Sequence, residues 1–294
     1  MSTQSDFPKF SIVLPSYNTV AYLKETIDSV LAQDYPDFEF IITDGGSTDG
    51  TVALLETYGD KIRWVSEPDN GQSDAINKGF EMATGDLHYW ANADDPMPPG
   101  TLRHVAGLLT DLSRPQWCVG AADLIDEKGG VYFTRTVDEV NDATFYLWAL
   151  KWIPTQSVFW NAKMWEAAGP FDAHFHYTMD LGLWQRMHKA APCIVTDRVC
   201  GLYRMHDVSK SLSSVETSRA ERKRNLAGIL ARDLQEAADA GPDAVQAKAE
   251  ELARLFDELS DHTAFLHRLE DHKIMGPLIR AYRKRVSWSP SGRL

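Results

Sequence analysis

Between residues 10 and 109, four short β-rich runs alternate with four helical patterns, and each run ends in a polar cluster. Phe10–Pro15 (FSIVLP) reads as a buried strand, and Ala21–Gln33 follows with Leu23, Ile27, Val30 and Leu31 on one helical face. Phe38–Thr43 then precedes a helix over Thr51–Tyr58, and Ile62–Ser66 precedes a Pro-Asp-Asn-Gly turn and a helix near Ser73–Met82. Asp86–Asn92 is the fourth strand, stopped by the prolines of 96–99 ahead of a helix to about Leu109. A chain that alternates in this way is restricted to a largely parallel sheet, because parallel neighbours need a helical crossover. In such sheets ligands bind beyond the carboxyl ends of the strands. The clusters Ser16–Asn18, Asp44–Asp49, Glu67–Gln72 and Asn92–Asp95 are therefore expected along one sheet edge.

Composition removes several classes of function. A net charge of −12 argues against nucleic acid as a partner, since phosphate binding needs a basic surface. Three cysteines, Cys118, Cys193 and Cys200, show no C-x-x-C spacing and fit reduced thiols better than a disulfide framework. The polar N-terminus has no apolar signal core, and no apolar run reaches the roughly 18–20 residues that span a bilayer. The expected location is cytoplasmic, with peripheral contact at the inner face of the membrane through a basic tail. That tail, from Asp271 to Leu294, carries six Lys/Arg and one acidic residue.

Two clusters suggest chemistry on their own. Asp44-Gly45-Gly46-Ser47-Thr48-Asp49 joins a strand to a helix, where glycines admit a ligand to the backbone and Asp44 can accept from a base or ribose. A tight turn capping the next helix is the alternative. The run carries neither a G-x-G-x-x-G fingerprint nor a P-loop. Asn92-Ala93-Asp94-Asp95 places adjacent carboxylates at a strand end, where they repel unless a cation such as Mg²⁺ or Mn²⁺ lies beside them. Asp180 opens the helical pattern 179–186, as a cap or as a functional acid.

Taken in order, these clusters resemble family-2 glycosyltransferases of the GT-A fold. The resemblance rests on Pro15-Ser16-Tyr17-Asn18, Asp44–Thr51, Asp69–Gly79, Asn92–Asp95 with Pro99-Gly100, and Asp180 with Leu183, Trp184 and Arg186. Arg204-x-His206-x-x-Ser209-Lys210 extends it to about residue 211. It implies an α/β fold with a Rossmann-like, mostly parallel sheet flanked by helices. The catalytic domain would cover 1–211 (donor half about 1–116, acceptor half about 117–211), with a helical extension over 212–294. It also implies a nucleotide-diphosphate sugar donor, UDP favoured, and a carbohydrate or lipid-linked acceptor. By the same resemblance Tyr17 packs on the base, Asp44 bonds it, and Pro15, Ser16, Asn18, Gly45, Gln72, Asp74, Lys78, Asn92, Ala93 and Asp94 complete the donor site. Asp94 and Asp95 would share ribose and metal, with His206 as a late metal ligand. Asp180 would act as the base of a single, inverting displacement.

Two departures stand out: Asn92 occupies the first D-x-D position, and Gly182 stands where a second acid is common in the family. No Q-x-x-R-W occurs, so single-sugar transfer is expected rather than processive extension. A sugar nucleotidyltransferase would show an early G-x-G-x-R loop, which is missing, whereas a non-catalytic nucleotide-sugar-binding scaffold fits the lone acid. On the acceptor side Trp152, Gln156 and His176 are candidates, and a buried core explains the Trp-rich stretch equally well. From Thr217 the apolar spacing of Leu226, Ile229, Leu230 and Leu234, then Leu252, Leu255, Phe256 and Leu259, is helical, for packing on the core or a homodimer seam.

Overall fold

The computed structural model describes residues 7–147, 151–206, 210 and 215–255. The chain divides into two compact units, 1–222 and 223–294.

In the first unit, β1 (Phe10–Ser16) lies between β2 (Phe38–Asp44) and β4 (Leu87–Trp90), with β3 (Arg63–Ser66) outside β2, and all these pairs are parallel. The crossovers are α1 (Val20–Leu31), α2 (Thr51–Glu56) and α3 (Gln72–Glu81); α4 (Thr101–Leu108) follows β4. Every residue of β1 is buried, which is why its sequence reads as a continuous apolar run. One face, Phe10, Ile12 and Leu14, packs with Leu23, Ile27 and Val30 of α1 and with Leu102 and Val105 of α4. The opposite face receives α3 so closely that a Cβ at Gly79 would lie 2.3 Å from Val13 Cγ1.

Beyond β4 the strands change direction. β7 (Val158–Asn161) is antiparallel to both β4 and β5 (Trp117–Ile125), and β6 (Val131–Arg135) is antiparallel to β5. β8 (Ile194–Arg204) pairs parallel with β5, giving an eight-stranded sheet ordered β3-β2-β1-β4-β7-β5-β6 with β8 on β5. The parallel arrangement expected from the alternation thus holds for the first four strands, and the second half is mixed. Helices α5 (Asp142–Tyr146), α6 (Ala162–Ala168) and α7 (Met179–Ala190) accompany that half. In α7, Met179, Leu183, Trp184 and Met187 recur at helical spacing and are all buried. Trp117, Trp160 and Trp184 are fully buried with mutual ring contacts, so core packing accounts for Trp160. The three cysteines are free.

Helix α8 (Val215–Ala240) runs across residue 222, and a further helix over 242–255 belongs to the second unit. Gly241 separates them, as its place before Pro242 leads one to expect. Among the described residues no helix is long and apolar enough to cross a membrane. Trp148, the apolar positions Phe256 and Leu259, and the basic tail proposed to touch lipid lie outside the described residues.

Candidate active site

The polar clusters meet where the parallel strands end. Ser16 is level with Asp44, and Asp44 with Ser66, across three adjacent strands. Asp44 is buried, and its carboxylate accepts from Gly46 N (3.1 Å), Ser47 N (2.9 Å), Ser47 Oγ (2.5 Å) and Ser66 Oγ (2.6 Å). It therefore shapes the loop that would receive a base. The first loop is tied to this one: Asn18 N donates to Ser47 Oγ, Thr48 N to Asn18 Oδ1, and Val20 N to Asp49 Oδ2. Asn18 adopts φ 53°, a left-handed conformation that its short polar side chain tolerates. Tyr17 is 64% exposed beside this floor. A Cβ at Gly45 would fall 2.6 Å from Asp69 Oδ2 and 3.3 Å from Tyr17, so a larger residue would displace the Asp69 carboxylate. Pro15 and Ser16 end β1 beneath the loop.

Helix α3 supplies the next wall. Lys78 pairs with Glu67 (3.1 Å) and Asp74 (3.5 Å), and Asp74 also accepts from Asn70 N. Gln72 Oε1 accepts from Lys210 Nζ at 2.6 Å. Asn77 bonds both N and O of Phe171, holding the approach to α7 against α3.

The two adjacent acids have different surroundings. Asp95 is 3% exposed, and both its oxygens are occupied. Arg204 N donates to Oδ1, while Asn92 Nδ2 and Gln156 Nε2 donate to Oδ2. Burial, and then the charge of Asp94, push its carboxyl up to about 7 against these donors. Asp95 was expected among the metal ligands; in the structure one hydrogen bond to Oδ1 and two to Oδ2 tie it to Arg204, Asn92 and Gln156. Asp94 is partly exposed, and its Oδ2 lies 2.9 Å from His206 Nε2. The two are in hydrogen-bond contact, and a carboxylate and an imidazole are both of the types that divalent cations take as ligands. Among the described residues, no three His, Cys, Asp or Glu side chains converge on one point. Ala93 is buried, with its carbonyl bonded by Thr26 Oγ1.

Asp180 is partly buried at the start of α7. Burial raises its pKa, opposed by hydrogen bonds from Leu181 N (2.8 Å) and Thr155 Oγ1 (3.1 Å) and by the charge of Lys210. Thr155 and Gln156 are consecutive, so one short turn holds Asp180 with one residue and Asp95 with the next.

The acceptor-side candidates separate. Trp152 is partly exposed, with the Arg135 guanidinium 5.4 Å from its ring centroid and Tyr203 at its edge. Gln156 is buried and donates to Asp95, with Tyr89 Oη donating to its carbonyl. His176 is exposed, its ring about van der Waals distance from where a Gly71 Cβ would stand. Three contributors escaped the sequence reading of roles. Asp69 had a signal, as the first residue of the Asp-Asn-Gly-Gln motif. Thr155 had none. Arg204 stood in a quoted motif without a role, yet its buried guanidinium reaches Asp94 O, Asp126 O, Glu127 O and Glu25.

Residues 11–168 match the profile described as Glycosyl transferase family 2. An uncharacterised glycosyltransferase of Rickettsia typhi is 30% identical over 206 residues, covering 68% of this chain and 65% of that protein. The chain spans between 28% and 65% of the length of the Rickettsia proteins it resembles. Among solved structures, S. aureus TarS 1-349 in complex with UDP matches with a TM-score of 0.54 and 19% identity, covering 77% of this chain and 72% of that one. The mannosyltransferase PcManGT of Pyrobaculum calidifontis, in complex with GDP-Man and Mn²⁺, matches with a TM-score of 0.56 and 19% identity, covering 96% of this chain and 87% of that one. At such identities the structures speak for the fold, which is that of GT-A transferases, and the profile speaks for the family. The chain belongs to glycosyl transferase family 2.

Proposed function

We propose that this enzyme moves a single sugar from a nucleoside-diphosphate sugar, UDP favoured, to an acceptor hydroxyl with inversion at the anomeric carbon. Asp180 is the base. Its ionised carboxylate takes the hydroxyl proton as the acceptor oxygen bonds to the anomeric carbon, and the bond from that carbon to the diphosphate oxygen breaks on the opposite face. A single displacement of this kind inverts the centre. Thr155 Oγ1 and Leu181 N aim the carboxylate and keep it ionised, while burial raises its proton affinity. Tyr17, Gly45 and Asp69 form the slot for the base, on the loop that Asp44 shapes. Asp94 and His206 would hold a divalent cation. The mixed carboxylate–imidazole pair suits Mn²⁺ better than Mg²⁺, which prefers oxygen ligands. When bound, that ion neutralises the charge developing on the departing diphosphate.

The observation that carries this reading is the turn at Thr155-Gln156, whose neighbouring side chains bond Asp180 and Asp95. It ties the base to the acidic loop, as a base acting beside a diphosphate requires. The test is calorimetric titration with UDP, dTDP and GDP, each with Mn²⁺ and with EDTA. One nucleotide should bind with Mn²⁺ and weaken at least about tenfold with EDTA and in Asp94→Ala. If none of the three binds in either condition, the donor-site assignment fails.

A further inference from the structure

Glu221 is a buried carboxylate that the chemistry above does not use. It is 1% exposed, lies in the early turns of α8, and falls outside both the family match and the resemblance. Its oxygens gather three consecutive backbone amides. Oε1 accepts from His176 N at 3.0 Å, and Oε2 accepts from His176 N (3.1 Å), Tyr177 N (2.7 Å) and Thr178 N (3.2 Å). Successive amides converging on one anion form a nest, and bonds to an ionised acceptor are roughly twice as strong as neutral ones. Thr178 is the N-cap of α7, and Asp180 is the second residue of that helix. His176 N and Tyr177 N precede the helix and Thr178 N is its N-cap amide, so Glu221 holds the segment that leads into α7.

The same segment is held from the other side by the donor helix. Ser73 Oγ donates to Phe175 O at 3.3 Å, and the His176 ring lies against Gly71. Lys210, bonded to Gln72, interacts electrostatically with both Asp180 and Glu221. The start of α7 is therefore clamped between α3 and one carboxylate of α8. An acid placed only to solvate a charge-rich helix would be at the surface, and this one is not.

We propose that Glu221 is a positioning residue for glycosyl transfer: by collecting the amides of residues 176–178 it fixes the start of α7, and with it the aim of the Asp180 carboxylate. The proposal rests on the reading of Asp180 as base. A displacement of about 1 Å at a reacting group can cost on the order of 100-fold in rate. Glu221→Ala should therefore lower kcat about 10- to 100-fold with the donor KM within about twofold. Glu221→Gln, which keeps an acceptor oxygen of the same reach, should recover much of the loss.

The experiment uses the full chain and whichever of UDP-GlcNAc or GDP-mannose the wild type hydrolyses, with amide hydrogen exchange over residues 171–183 followed in parallel. Support requires faster exchange in that segment in Glu221→Ala, unchanged exchange in β1 and α3, and the drop in kcat. Faster exchange with kcat unchanged would make Glu221 a structural brace only and overturn the proposal, as would unchanged exchange. Should Glu221→Ala not fold, Glu221→Gln still decides: it must show an intermediate rise in exchange and an intermediate kcat. Asp180→Asn keeps the clamp intact, so it should leave exchange over 171–183 as in the wild type. If Asp180→Asn keeps its turnover, the base assignment fails by itself, which separates that failure from one at Glu221.

Discussion

The donor edge and the catalytic edge of the site are built on different principles. At the donor edge, Asp44 bonds Gly46 and Ser47, and Asp49 bonds Thr51. The longer ties from Ser66, Asn18 and Val20 join loops of neighbouring parallel strands, so each loop takes its shape from adjacent residues and adjacent strands. The catalytic edge has no such autonomy. Asp95 is held from Gln156 and Arg204, Asp180 from Thr155, and the entry to α7 from Glu221. Donor loops made of local turns form as soon as their strands pair. The carboxylates of the proposed catalytic edge acquire most of their environment when segments distant in sequence pack together. Changes at the donor edge should therefore act on nucleotide affinity, and changes at the catalytic edge on turnover or on folding as a whole.

The sharpest contrast comes from Asp180→Asn. It should lower kcat by about 10³-fold, within the range set by removing a general base, while the nucleotide Kd stays within about twofold. A matching loss of nucleotide affinity would dissolve the distinction between the two edges. Arg204→Ala comes next, because its buried guanidinium serves the carbonyls of Asp94, Asp126 and Glu127 at once. Unsatisfied buried carbonyls cost about 1–3 kcal/mol each and are not additive, so a loss of roughly 3 kcal/mol in chemical denaturation is expected. Tyr17→Ala, at the exposed end of the donor edge, should weaken nucleotide binding about 5- to 10-fold, the scale of one aromatic stacking contact, without changing stability. Unaltered binding would remove Tyr17 from the slot.

The smallest effect is on pH dependence. Burial raises the pKa of Asp180, so the acidic limb of kcat/KM, where activity is lost as protons fill the base, should lie above the ordinary carboxylate value of about 4. Thr155 Oγ1 stabilises the ionised form, so Thr155→Val should move that limb further up. A limb that moves down would mean that another group titrates.

These differences follow what the chain alone made readable. Strand-helix alternation, apolar runs and polar clusters belong to adjacent residues, and they sufficed for the parallel half of the sheet, for α7 and for the donor loops. Asp69 lay within the same local pattern and was readable in principle. Other features depend on which distant segments meet. That Asp95 braces a loop while Asp94 faces His206 is decided by Gln156 and Arg204, residues 61 and 109 positions away. No spacing rule distinguishes adjacent aspartates, because charge and residue type are the same for both. Glu221 stands among Arg and Lys on a polar helix and reads as a solvated face until three amides of another segment are seen to converge on it. Local propensity and periodicity determined the elements and the order of the clusters. Only tertiary packing, which brings distant segments together, decided how deeply each carboxylate is buried and which groups bond it.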